Sequence, residues 1–189
     1  PQVGVADGAV RGVEALIRWR HPQRGHLAPR DFLPVAEAIG LAVPLGEWIL
    51  GKAFADHAAW RGQPGRPERV AVNVTTRYFL QPSFPDTLAS LAREAGLDPN
   101  EIEIEVSEST LLQEIDLVTG YMRALKDRGF GLVLDDFGAV ASPLARLRFL
   151  PLDRLKVDDV LTQRLQHADE RRLAEAIVQV ALGLGIVPV

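Results

Sequence analysis

Gly131-Leu-Val-Leu-Asp-Asp136 runs apolar and then ends on two adjacent carboxylates. A strand that stays apolar and presents a polar side chain at its C-terminal end is how a βα barrel builds an active site. Four other segments share the pattern. They are Gly12-Val-Glu-Ala-Leu-Ile-Arg18, Val70-Ala-Val-Asn73, Ile102-Glu-Ile-Glu105 and Leu152-Asp-Arg-Leu-Lys156. Asn73, Glu105 and Asp135 follow one another at intervals of roughly thirty residues, the length of one strand–helix–strand unit. One such segment is an accident; five make a site hypothesis.

Between them the sequence predicts helices over 31–39, 45–60, 85–95, 109–128 and 170–184. Asp31 and Asp169 are candidate caps, and Gly40, Gly96, Gly129 and Gly185 are the stops. Strands are predicted over 12–17, 70–74, 102–106, 131–134 and 155–157. A short helix is expected at 143–148, and another strand opens at Ile186. Residues 61–67 read as a turn-rich loop. This alternation predicts a parallel sheet with crossover helices. A doubly wound sheet and a barrel both fit. Polar residues at many strand ends, rather than at one switch point, favour an α/β barrel of the TIM type.

The 189 residues suffice for one domain, and 47% of them are hydrophobic. No apolar run is long enough for a transmembrane helix. Pro1–Asp7 lacks the basic and apolar stretches of a signal peptide. Absence of cysteine excludes disulfides and thiolate metal sites and suits a reducing compartment, so a cytoplasmic location is expected. A net charge of −4, from 21 basic and 25 acidic residues, argues against DNA or RNA as partner.

Side chains alternate faces along a strand. Glu14, Leu16 and Arg18 therefore share one face, and Val13, Ala15 and Ile17 the other. The same parity turns Glu14, Asn73 and Glu105 to one interior. Converging acids are costly to bury unless a cation neutralises them. Carboxylates with an amide oxygen are hard ligands suited to Mg²⁺ or Mn²⁺. Asp135 and Asp136 could each reach a different metal or bridge two, the arrangement that splits a phosphodiester. Lys156 could orient the attacking water or offset phosphate charge, and Arg18 could hold a phosphate oxygen.

Other residues read as structural. Glu103 is expected to pair with a basic residue, and Asp158 and Asp159 to cap a helix. The four histidines show no ligand spacing. Trp19, Trp48 and Trp60 are expected in the core or at its rim. Asp136-Phe-Gly138 alone suggests a kinase, but no Gly-rich or catalytic-loop signature accompanies it.

Glu14-Ala-Leu16, within Gly12–Pro22, resembles the signature of the EAL domain family. The resemblance continues through Asp31-Phe-Leu-Pro-Val-Ala-Glu37, Val72-Asn-Val74, Glu105-Val-Ser-Glu-Ser109, Leu134-Asp-Asp-Phe-Gly138 and Leu150–Asp158, in order, across essentially the whole chain. It implies a modified TIM barrel that hydrolyses cyclic-di-GMP to linear pGpG with Mg²⁺ or Mn²⁺, two per site. It implies metal ligands at Glu14, Asn73, Glu105, Asp135 and Asp136, with Glu14, Asp135 and Lys156 catalytic. Leu16, Arg18 and Asp136 would contact ligand, and Glu108 would anchor the loop after the Asp-Asp strand. A homodimer, flanking sensory or cyclase-like domains and a membrane tether elsewhere are further implications.

Two departures are visible. Ala139-Val-Ala-Ser-Pro143 replaces the family's Thr-Gly-Tyr-Ser-Ser-like loop. A binding-only receptor or interaction module therefore stands beside the enzyme reading. The sequence also ends before the family's next strand acids, so residues 1–189 are expected to be one EAL-like domain cut short at both ends within a longer protein.

Overall fold

Apolar runs bounded by glycine and proline become strands and helices in nearly the predicted order. The computed structural model describes residues 1–113, 115–138 and 144–189. The chain divides into two units, Pro1–Glu103 and Ile104–Val189.

In the first unit Gln2–Val3 (β1) pairs antiparallel with Val10–Ala15 (β2). Trp19–His21 (β3) and Gly25–Leu27 (β4) form a hairpin too short to show an alternation in the sequence. Pro29–Ala38 (α1) starts two residues before the expected Asp31. Proline at the first helical position presets the backbone, so Ala28 becomes the cap. Asp31 serves from inside the first turn, its carboxylate accepting the Ala28 N–H at 3.0 Å. Ala42–Ala59 (α2) likewise begins before Leu45, with Pro44 in the first turn, where its missing N–H costs nothing.

Arg69–Asn73 (β5) runs parallel to β2, pairing Glu14 with Ala71 and Ala15 with Val72. Val70, Ala71 and Val72 are all buried, as expected of a parallel strand covered on both faces. Thr76–Phe79 (α3) and Phe84–Glu94 (α4) complete the unit. Tyr78, Phe79 and Phe84 pack together, with ring centroids 4.9 and 5.4 Å from Phe84. α2 meets this cluster through Gly46, where a Cβ would lie 2.3 Å from the Tyr78 ring. The three tryptophans depart from expectation: Trp48 is 60% exposed and Trp19 46%. Trp19 touches buried Phe32 edge-on but remains a surface residue.

The second unit is built on Ile102–Ser107 (β6), Gly131–Phe137 (β7), Arg154–Val157 (β8) and Val187–Pro188 (β9), neighbours in that order. β7, β8 and β9 are parallel. The single helix expected over 109–128 is instead a 3₁₀ turn, Glu108–Leu112, followed by Ile115–Asp127 (α5). The helix expected at 143–148 is also 3₁₀, Leu144–Phe149. Asp159–Thr162 (α6) and Ala168–Gly183 (α7) follow. Asp158 caps α6 as expected, whereas Asp169 lies within the first turn of α7, whose cap is His167. Val118, Met122, Leu125, Leu132, Leu134 and Leu155 form the core. Asp153 ties α5 to the start of β7. Its carboxylate accepts the Leu132 N–H at 2.8 Å and meets Lys126 Nζ at 2.6 and 2.8 Å. No helix among the described residues is long and apolar enough to cross a membrane.

Candidate active site

β7 does not stop at Leu134 as the sequence suggests; it continues through both aspartates by means of a bulge. Leu134 pairs with Leu155 and Phe137 with Val157, so two residues, Asp135 and Asp136, stand opposite one, Lys156. The extra residue breaks the strict alternation that would throw adjacent acids to opposite faces. Asp136 takes a φ of 55°, in the left-handed region that aspartate tolerates better than most residues. Its N–H donates to Asp135 Oδ1 at 3.0 Å.

Lys156 gathers the acids of this unit. Its Nζ lies 2.9 Å from Glu105 Oε2 and 3.2 Å from Asp135 Oδ1. Glu105 is wholly buried within β6, two residues before its end. Burial, followed by the charges of Asp135 and Asp158, raises the Asp136 carboxyl above its usual range, and Lys156 opposes the shift. Glu108 is also buried, and its carboxylate accepts the Gly138 N–H at 3.3 Å. The departure noted over 139–143 lies outside the described residues.

The first unit brings a second group together. Asn73, at the end of β5, donates from Nδ2 to Glu14 Oε1 at 2.6 Å. The β2–β5 register accounts for this, since Glu14 stands beside Ala71 and Asn73 follows on the same face. Glu14, Leu16 and Arg18 line one cavity of about 450 Å³ with Trp48, Lys52 and Val70. Leu16 is 57% exposed, an unusual position for a large apolar side chain, and Arg18 is exposed with Nη1 on the Ile17 carbonyl at 2.7 Å. Glu103 is buried beside Arg69, 3.8 Å away, the pairing expected of a structural acid.

Every candidate metal donor is a carboxylate or amide oxygen, the hard set that Mg²⁺ or Mn²⁺ takes. Asn73 turns its N–H to Glu14, so its carbonyl oxygen is the atom left to offer. The residues present fit such an ion. What sequence reading missed is the bulge and the grip of Lys156 on Glu105 and Asp135. The only signal for the bulge was the pair of adjacent acids followed by Phe137-Gly138.

Comparison with known proteins gives a consistent picture. The profile of the EAL domain matches residues 1–189. A cyclic di-GMP phosphodiesterase, PA2567, of Pseudomonas aeruginosa is 34% identical over 97% of this chain and 31% of its own length. The bifunctional diguanylate cyclase/cyclic di-GMP phosphodiesterase MucR of the same organism is 36% identical over 97% of this chain and 27% of its own. A solved structure of the MucR phosphodiesterase in complex with c-di-GMP superposes with a TM-score of 0.92 at 34% identity, covering 98% of this chain and 76% of that one. The chain thus spans about a third or less of the curated relatives it matches.

Proposed function

Since the chain belongs to the EAL domain family, we propose that its protein hydrolyses cyclic-di-GMP to linear pGpG with two divalent ions, Mg²⁺ or Mn²⁺. The observation that carries this reading is the bulge in β7, which sets Asp135 and Asp136 against Lys156, itself paired with Glu105. Glu105 and Asp135 both reach the Lys156 ammonium, at 2.9 and 3.2 Å, and the bulge sets Asp136 next to them. The similarity to PA2567 and to the ligand-bound MucR domain supports it.

In this reading Glu14, Asn73, Glu105, Asp135 and Asp136 hold the ions. Such ions, when bound, supply an activated water and a Lewis acid on the phosphoryl oxygens. Lys156 is held by Glu105 and Asp135 where its ammonium orients the water and offsets phosphate charge. The Arg18 fork holds a phosphate oxygen from the rim of its cavity, and Leu16 gives an apolar contact to ligand. Asp136 also faces the ligand. Glu108 fixes the start of the loop that follows β7 through the Gly138 N–H. A cytoplasmic location, a homodimer and a flanking cyclase-like or sensory domain belong to the same proposal.

The test is to incubate the full-length protein with cyclic-di-GMP and Mn²⁺ or Mg²⁺ and follow pGpG by chromatography. Glu14→Ala and Lys156→Ala are each expected to lower turnover by at least about a hundredfold. Absence of product at high enzyme concentration defeats the enzyme reading. The altered sequence at 139–143 favours a second reading, a receptor that binds without cleaving. Calorimetric titration with cyclic-di-GMP in Ca²⁺ then separates a receptor from a module that has lost the ligand.

A further inference from the structure

α2 carries a histidine that the phosphodiester chemistry does not use. His57 is 0% exposed. Its Nε2 lies 3.2 Å from Arg66 Nη2 and 4.0 Å from Glu101 Oε1. The same Arg66 nitrogen donates to Glu101. The second Glu101 oxygen accepts the Asp98 N–H at 3.0 Å and lies 3.7 Å from Arg61, which donates to the Gly96 carbonyl at 2.7 Å. Three stretches of the first unit meet at one imidazole: the last turn of α2, the loop 61–67 and the turn Pro99–Glu101.

The contacts decide where the imidazole proton sits. An arginine N–H can only donate, so Nε2 carries the lone pair and Nδ1 the hydrogen. Nδ1 meets no acceptor among the described residues. A second proton would place a new N–H donor against a guanidinium, away from water. That exchanges a hydrogen bond for a like-charge contact. Glu101 is the acid facing this pair among the described residues. It is already engaged by Arg66 and the Asp98 N–H, which with Arg66's charge hold its carboxyl low despite burial. It therefore stays ionised well below neutrality and does not titrate alongside His57.

We propose that His57, Arg66 and Glu101 form an acid-released clasp on the loop 61–67, closed while His57 is neutral and opened when it takes a proton. Burial first, then Arg66, lowers the affinity of His57 for that proton; Glu101 opposes the shift, and Arg61 adds a smaller push in the lowering direction. The sign follows. A histidine with a lowered value in the closed state favours closure fully above 6.5, its ordinary value, and loses that advantage as pH falls below it. Opening returns His57 to its ordinary value. The opening constant therefore rises between pH 7.5 and pH 5.5, by at most about tenfold. The loop feeds β5, whose last residue is Asn73, so acid loosens the entry of that strand.

Native-state hydrogen exchange on the full protein tests the clasp. The amides of Gln63, Arg66 and Glu101, bonded to the carbonyls of Trp60, Gln63 and Asp98, are followed at both pH values and corrected for intrinsic rates. Less protection at the lower pH, by at most about tenfold, is expected in the wild type. None of this loss is expected in His57→Gln, whose side-chain oxygen accepts from Arg66 and does not titrate. Protection that ignores pH in the wild type, or falls equally in His57→Gln, overturns the proposal. Should His57→Gln fail to fold, imidazole nitrogen shifts of the wild type decide. A neutral ring protonated on Nδ1 at pH 6 supports the clasp, and an imidazolium at pH 6 overturns it.

Discussion

Tyr78 shows how far a single side chain can depend on partners distant in sequence. Its ring lies against the bare backbone of Gly46 and its hydroxyl is buried without a partner among the described residues. Burial, and then the charge of Glu47, pushes its ionisation well above the usual 10.0. The unfolded chain releases that proton first. Stability is therefore full below pH 10 and declines above it. Urea midpoints measured from about pH 9 to about pH 11 should fall less steeply in Tyr78→Phe than in the wild type. Equal slopes would show that the hydroxyl reaches water. Nothing in the sequence announced this contact, because Gly46 reads only as a weak helix residue. His57 was equally opaque, since its partners Arg66 and Glu101 come from other segments. Glu14, Asn73 and Lys156 could be singled out because each breaks an apolar run at its end, a pattern local enough to read.

Elements were readable where periodicity was long and failed where a few residues decide. α4 and α7 follow from amphipathic runs closed by glycine, and their ends moved by only one or two positions. The hairpin of β3 and β4 escaped because three-residue strands have no period to detect. The predicted helix over 109–128 was split because Glu108–Leu112 winds as 3₁₀. Asp158 was read correctly, and it gives a test. Its Oδ1 accepts the N–H groups of Val160 and Leu161 at 2.9 and 3.2 Å. Asp158→Ala should destabilise the protein by about 1 kcal/mol in urea denaturation, the usual worth of such a cap. No change in midpoint would mean that water replaces the carboxylate at no cost.

For the chain as a whole, the α/β class and the family were readable because several short motifs occur in order over nearly its full length. Each motif alone is weak. The metal set was proposed from residue chemistry, and a thermodynamic test is independent of turnover. A ligand that binds only the native state stabilises it by mass action. Mn²⁺ at a hundredfold excess over its dissociation constant should add about 2.7 kcal/mol to unfolding stability. The gain should vanish in Glu14→Ala. A melting temperature that ignores Mn²⁺ up to millimolar concentrations would remove the metal assignment while leaving the family untouched.

The bulge in β7 has a bearing on how this gene segment can vary. Two residues there answer to one in the neighbouring strand, and Leu134 and Phe137 lock the register on either side. Replacing an aspartate alters one side chain. Removing it would straighten the strand, leave a single residue opposite Lys156 and pull Phe137 and Gly138 back by one place. An insertion would push them the other way. Residues 131–138 are thus closed to drift in length at every position, a constraint separate from the one that the proposed metal set places on the identity of Asp135 and Asp136.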